Sequence, residues 1–162
     1  MAGFEELREQ YHHAQDAFIQ GNPEPMKRLW SRRDDVTLAN PLGPPARGWD
    51  AVRQVMERAA AQLTDGTGFS AEIISTFATT ELAYDVAIER CSVKVGGSDM
   101  AAPVSLRVTT VFRDEGGGWT IAHRHADPIT GERPIESITQ RKWVHSSQRS
   151  TTVPSGSSIR EE

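Results

Sequence analysis

Two carboxylates, two imidazoles and a guanidinium lie at spacings that could do chemistry. In the run Tyr84-Asp85-Val86-Ala87-Ile88-Glu89 a strand would put Asp85, Ala87 and Glu89 on one face and Tyr84, Val86 and Ile88 on the other. Period two alone sends the apolar trio to the core and the acids to solvent. If the acidic face instead looks into an apolar cavity, desolvation raises a carboxylate's pKa toward neutrality and makes Asp85 or Glu89 a usable acid or base. His123 and His125 share one face of a last strand. That spacing can present two rings to one metal ion, with Glu89, Asp127 or His145 to complete the set. The reading adopted is metal-free: two sheet histidines bonded to neighbouring strands or across an interface. Arg124, between them, points the other way, either to anchor a ligand carboxylate or carbonyl or to pair with Asp85 or Glu89. Asn40 precedes Pro41 and offers either a carboxamide that orients a ligand carbonyl or an Asx turn.

The chain that must position these groups has 162 residues, 18 Lys+Arg against 22 Asp+Glu, and a net charge of −4. That length suits one domain, and the acidic balance argues against nucleic acid, whose phosphates require a basic face. No apolar run reaches membrane-spanning length, so no membrane partner is expected. The N-terminal Met1-Ala2-Gly3-Phe4-Glu5-Glu6 lacks the basic and then apolar run of an export signal. One cysteine, Cys91, has no partner for a disulfide. The expectation is a cytoplasmic protein with Cys91 as a small buried strand residue.

Apolar residues at Phe4, Leu7, Tyr11, Ala14 and Phe18 predict a helix ending near Gly21, and the adjacent His12-His13 pair reads as solvated. Asn22-Pro23-Glu24 starts a second, shorter helix through Met26, Leu29 and Trp30. Residues 36–40 form a short strand stopped by Pro41, Gly43, Pro44 and Pro45. After Gly48-Trp49-Asp50, helical spacing at Val52, Val55, Met56, Ala59 and Leu63 predicts a third helix running to Asp65-Gly66. Residues 69–80, 82–95, 100–113 and 119–126 then read as four strands of an antiparallel meander, joined by glycine-rich turns. Helices first and strands second is an α+β pattern. Ile135, Ile138 and Trp143 suggest a short helix or arm over 134–145. Residues 146–162, with eight Ser or Thr among seventeen, read as a disordered tail.

This element order, with Asp34-Asp35-Val36-Thr37-Leu38-Ala39-Asn40-Pro41-Leu42-Gly43 and with Thr110 through Asp114 and Gly118 through His125, resembles the nuclear transport factor 2-like superfamily over residues 4–130. Its echoes are the SnoaL-like proteins, ketosteroid isomerase and the calmodulin-dependent kinase II association domain. The resemblance implies a cystatin-like α+β barrel over residues 1–133: a cone-shaped sheet wrapped around the helices, with an apolar pocket at its open end and a homodimer through the outer sheet face. It also turns the acids of the 82–95 strand toward that pocket and sets Val104, Leu106, Val108, Thr110 and Phe112 along its wall. Trp30 and Trp49 would line its mouth. Ketosteroid isomerase has its carboxylate base where this chain has Asn40, and an amide cannot take that proton. The family's first-helix tyrosine would fall nearer Ala14 than Tyr11. Steroid isomerisation is therefore not expected. The implied function is a pocket for a small hydrophobic, carbonyl-containing molecule, with no cofactor. Any enzyme would be an isomerase, cyclase or dehydratase with Asp85 or Glu89 as base and Asn40 or Arg124 polarising the carbonyl. The alternative is a non-catalytic dimerisation or assembly module.

Overall fold

The computed structural model describes residues 2–139. The chain divides after Glu132, and the two parts are taken separately. The N-terminal part opens with α1 (Ala2–Phe18), whose stripe of Phe4, Leu7, Tyr11 and Ala14 is buried throughout. The helix is closed by Gly21 at φ 89°, with its N–H on the Phe18 carbonyl, a left-handed position that glycine occupies without strain. α2 (Glu24–Leu29) follows, its first N–H bonded to the Asn22 side-chain oxygen, and Lys27 ties it to α3 (Trp49–Ala60) through Glu57 at 2.8 Å.

Six strands form one sheet: β1 (Thr37–Ala39), β2 (Ala46–Arg47), β3 (Leu63–Ala78), β4 (Leu82–Val95), β5 (Ala102–Asp114) and β6 (Trp119–Asp127). Their order is β2-β1-β6-β5-β4-β3, and the expected meander runs antiparallel from β3 to β6. At β1 the pairing departs from the antiparallel expectation. β1 lies parallel to β6, Leu38 opposite Arg124, continuing the parallel bridge of Trp30 with Ile121. That pairing sets the start of the 40–45 loop, Asn40 included, beside the strand that carries Arg124.

A second departure concerns the segment after α3. Helical spacing extended this helix to Leu63 and began the strand at Phe69, but α3 stops at Ala60 and β3 starts at Leu63. Pairing of Leu63 with Val95 and Thr64 with Lys94 outweighs the local turn signal of Asp65-Gly66, which is absorbed as register shifts. Gly66 is required there: a Cβ would lie 2.3 Å from the Ile19 carbonyl oxygen. With the shifts near Ile73 and Val111, these irregularities bend the sheet around the helices.

The core joins both layers. Phe4 meets Phe112 edge-on with centroids 5.2 Å apart, and Trp30, Val36, Leu38, Val52, Met56 and Ile121 fill the space between helices and sheet. Among the described residues no helix is long and apolar enough to cross a membrane. In the C-terminal part, the described residues include a 3-10 turn at Ile135–Ile138, with both isoleucines exposed. The expectations for 140–162, including Trp143, His145 and the tail, lie outside the described residues.

Candidate functional site

On β4 the alternation is resolved in favour of the acids. Ala83, Asp85, Ala87 and Glu89 are buried toward the helices, while Tyr84 is exposed. Burying a carboxylate requires compensation, and α1 supplies much of it from a polar line that runs beside its apolar stripe. Arg8, Tyr11 and Gln15 are spaced three and four apart, so they share the helix face turned to β4.

Tyr11 donates its hydroxyl to Glu89 Oε1 at 2.6 Å and accepts from Gln15 Nε2 at 2.7 Å and from Arg124 Nε at 2.9 Å. Arg124 Nη2 bonds Glu89 Oε2 at 2.6 Å, and Gln15 Nε2 lies 3.4 Å from the same oxygen. One donated and two accepted bonds use all the capacity of a phenol oxygen. Burial pushes the Tyr11 pKa above its ordinary value; Arg124 opposes the shift and Glu89 adds to it. Burial also works against the charge of Arg124, but Glu89 and the Tyr11 oxygen outweigh it, so the guanidinium stays protonated. Arg124 Nη1 and Gln15 Oε1 make no hydrogen bond among the described residues.

Beside this network lies a cavity of about 260 Å³. Phe18, Met26, Trp30, Leu38, Met56, Phe69, Val104 and Leu106 make most of its wall apolar, and Gln15, Asn40, Glu89 and Arg124 bring polar groups to it. The Asn40 side-chain oxygen accepts from the Leu42 N–H at 3.0 Å, so the Asx turn forms, and it leaves the amide nitrogen free of that turn. Cys91 also borders the cavity, half-buried, and burial followed by the charge of Glu89 raises its thiol pKa. Trp30 is buried in the wall, and its Nε1 has no acceptor among the described residues.

A second, much smaller space of about 20 Å³, enough for one water, is bordered by Tyr11, Asp85, Glu89, Thr110 and Phe112 among others. Asp85 belongs here and does not border the large cavity. Its carboxylate is held by Arg8 Nε at 3.0 Å and by the Thr76 hydroxyl at 2.6 Å. The choice left open for Arg124 thus falls on Glu89, because Asp85 is already paired. The apolar surroundings expected for the two acids are corrected as well: each carboxylate sits against a guanidinium.

The candidate residues divide accordingly. Asn40, Glu89, Arg124 and Trp30 meet at the large cavity, whereas Thr110 and Phe112 border the small one. Trp49 borders neither. It lies under the Arg32 guanidinium, 3.6 Å from ring centroid to Cζ, because the N-terminus of α3 turns it toward the 31–35 segment. His123 faces away from the cavity and bonds the Thr37 hydroxyl at 2.7 Å. His125 is half-exposed, 3.9 Å from Asp127, which Arg107 already holds at 2.7 Å. Tyr11 as a polar hub, Gln15 and Arg8 were not singled out from sequence. The available signal was a glutamine and an arginine flanking the apolar stripe at helical spacing from Tyr11.

The SnoaL-like domain family matches this chain over residues 6–129. The chain belongs to that family. No curated protein matches the sequence significantly. Among solved structures, the SnoaL-like chain is similar to a provisionally assigned dehydratase of the nuclear transport factor 2-like family from Streptomyces avermitilis, at 19% identity and TM-score 0.65, covering 80% of this chain and 96% of that one. A ketosteroid isomerase-like protein from Erwinia carotovora atroseptica gives 17% identity, the same coverages and TM-score 0.65. A provisionally assigned calcium/calmodulin-dependent protein kinase type II association domain from Thiobacillus denitrificans gives 20% identity and TM-score 0.62, over 76% of this chain and 93% of that one. At these identities the likeness is one of fold. The α+β class and the family resemblance read from the sequence both hold for this SnoaL-like domain.

Proposed function

We propose that this SnoaL-like domain binds a small, mostly apolar molecule carrying a hydrogen-bonding oxygen, which accepts from Arg124 Nη1 and, where it is a hydroxyl, also donates to Gln15 Oε1. The observation that supports this reading is the buried Tyr11–Gln15–Glu89–Arg124 network in the wall of an otherwise apolar cavity. Buried donors and acceptors with spare capacity in a concave apolar site are what a ligand's polar group needs. A cavity of about 260 Å³ falls just below the roughly 300–1,000 Å³ that holds drug-sized ligands, so it suits a small molecule on the order of ten non-hydrogen atoms.

As an enzyme the domain would move a proton without metal or organic cofactor, in an isomerisation, cyclisation or dehydration. Arg124 would stabilise negative charge developing on the ligand oxygen, and Glu89 would take the proton from the neighbouring carbon. Tyr11 would hold Glu89 in place through its hydrogen bond. Asp85 is assigned no part, since it opens on the other space. Asn40 stands where a steroid isomerase would need its base. We place the protein in the cytoplasm, consistent with the free thiol of Cys91.

The test is a thermal-shift screen with lipophilic ketones and aldehydes on the natural protein and on Leu106→Trp, which fills the cavity. Stabilisation of the natural protein and none of the variant supports the reading; no shift by any compound at saturation refutes it. Turnover of a bound compound by the natural protein but not by Glu89→Gln would establish the catalytic part.

The second reading, self-assembly, draws on the outer sheet face. There Phe77 stacks on Tyr84 at 5.9 Å beside Leu82, all three exposed. Such a surface suits a homodimer, and the cavity on the opposite face would stay available. Sedimentation at micromolar concentration decides between dimer and monomer.

A further inference from the structure

Resting on the reading of the cavity as a ligand site, we infer that it selects uncharged ligands and turns carboxylates away, with Glu89 as the specificity-determining residue. The charged side chains bordering the cavity among the described residues are Glu89, Arg90 and Arg124. Arg90 is engaged with Glu72 at 2.9 Å on the half-exposed outer side. Arg124 is matched by Glu89 at 2.6 Å, the Arg124 side chain 12% exposed and that of Glu89 7%. The buried part of the wall therefore carries no net charge, although it contains a guanidinium of the kind that usually anchors carboxylates.

A ligand oxygen on the free Nη1 of Arg124 would share the guanidinium with Glu89, whose Oε2 is already on Nη2. For a carbonyl or hydroxyl this is a simple charge-assisted hydrogen bond. A ligand carboxylate would bring a second negative charge against the same cation, a few ångströms from Glu89, where little water screens the repulsion. It would also give up its hydration without gaining an unmatched positive charge. Gln15 Oε1 adds to the bias. Tyr11 donates to Glu89, so Gln15 must present its amide nitrogen to Tyr11, which leaves an acceptor toward the ligand. That acceptor suits a hydroxyl donor, gives a ketone oxygen no bond, and repels the full charge of a carboxylate more strongly than the dipole of a ketone.

The experiment compares benzylacetone with hydrocinnamate, which have the same number of non-hydrogen atoms and differ in charge at the polar end. Both are titrated by calorimetry or ligand-observed NMR into the full chain at mildly alkaline pH, and into Glu89→Gln. The natural protein is expected to bind the ketone on the order of a hundredfold more tightly than the carboxylate. In Glu89→Gln the affinity for hydrocinnamate should rise about tenfold or more while that for benzylacetone stays within a few-fold. Equal binding of the two probes by the natural protein overturns the charge selection and leaves the cavity reading standing. An unchanged probe ratio in a folded Glu89→Gln removes Glu89 from its role. Binding of neither probe by either protein overturns the cavity reading and this inference with it. Should Glu89→Gln fail to fold, the ratio measured on the natural protein decides alone.

Discussion

Tyr11 and Glu89, 78 positions apart in sequence, share a buried hydrogen bond of 2.6 Å that fastens α1 to the middle of β4. Because the phenol oxygen also accepts from Gln15 and Arg124, it joins Gln15, Glu89 and Arg124 into one network. Tyr11→Phe keeps the ring and its packing but leaves Gln15 Nε2 and Arg124 Nε without that acceptor and Glu89 Oε1 without its donor. The expected loss is about 2–3 kcal/mol of stability, read from urea denaturation. A change below about half a kcal/mol would mean that the network contributes little to holding the helix.

The Glu89–Arg124 pair predicts strong non-additivity. Glu89→Leu leaves a buried guanidinium without its counter-ion, and Arg124→Met leaves a buried carboxylate with only Tyr11 and Gln15. Each single change should cost about 3–5 kcal/mol, and the double variant should be considerably more stable than the sum of the two losses implies. A double-mutant cycle by chemical denaturation measures this, and simple additivity would show that the two charges are not coupled.

His123 should make the fold sensitive to mild acid. Burial, followed by the neighbouring His125, holds its pKa below the ordinary value of 6.5, against a smaller opposing effect of the Thr37 contact. The unfolded chain then binds this proton more readily than the folded one, so stability falls as pH drops through 6.5 toward the lower folded value. His123→Gln retains hydrogen bonding to Thr37 and removes the titration. Its stability should vary less between mildly acidic and neutral pH than that of the natural protein. Parallel pH profiles for the two proteins would rule this out.

Gly66 is predicted to tolerate no side chain. A Cβ there would come 2.3 Å from the Ile19 carbonyl and 2.5 Å from that residue's side chain, so the start of β3 would have to leave the end of α1. Gly66→Ala should cost about 2–3 kcal/mol, measured by thermal or urea unfolding. The same change at Gly117, which has open space around it, is the control and should be close to neutral.

Much of the architecture could be read locally. The stripe of Phe4, Leu7, Tyr11 and Ala14 and the alternation along residues 82–95 are periodicities of three to four and of two, which the backbone converts directly into a helix and a strand. The start of β3 could not be read this way. Asp65-Gly66 is a turn signal by composition, and only the pairing of Leu63 with Val95 draws it into the sheet. The parallel contact of β1 with β6 is likewise non-local, since nothing between Val36 and Asn40 specifies a partner 86 residues away, as in Thr37 with His123.

The sequence by itself determined the order of the helices and of every strand but the short β2, the α+β class, the family and a set of residues able to do chemistry, because each depends on local pattern or on motifs of neighbouring residues. Period two alone did not give the inner face of β4, and only the family resemblance turned its acids inward; tertiary structure alone decided that Arg124 matches Glu89 while Arg8 takes Asp85, and that Trp49 stands apart from the cavity under Arg32. The physical reason is that a buried charge is tolerated only where a distant part of the chain delivers its counter-charge and hydrogen bonds. Here that delivery comes from α1 and β6, and it depends on how helix and sheet are brought together in space.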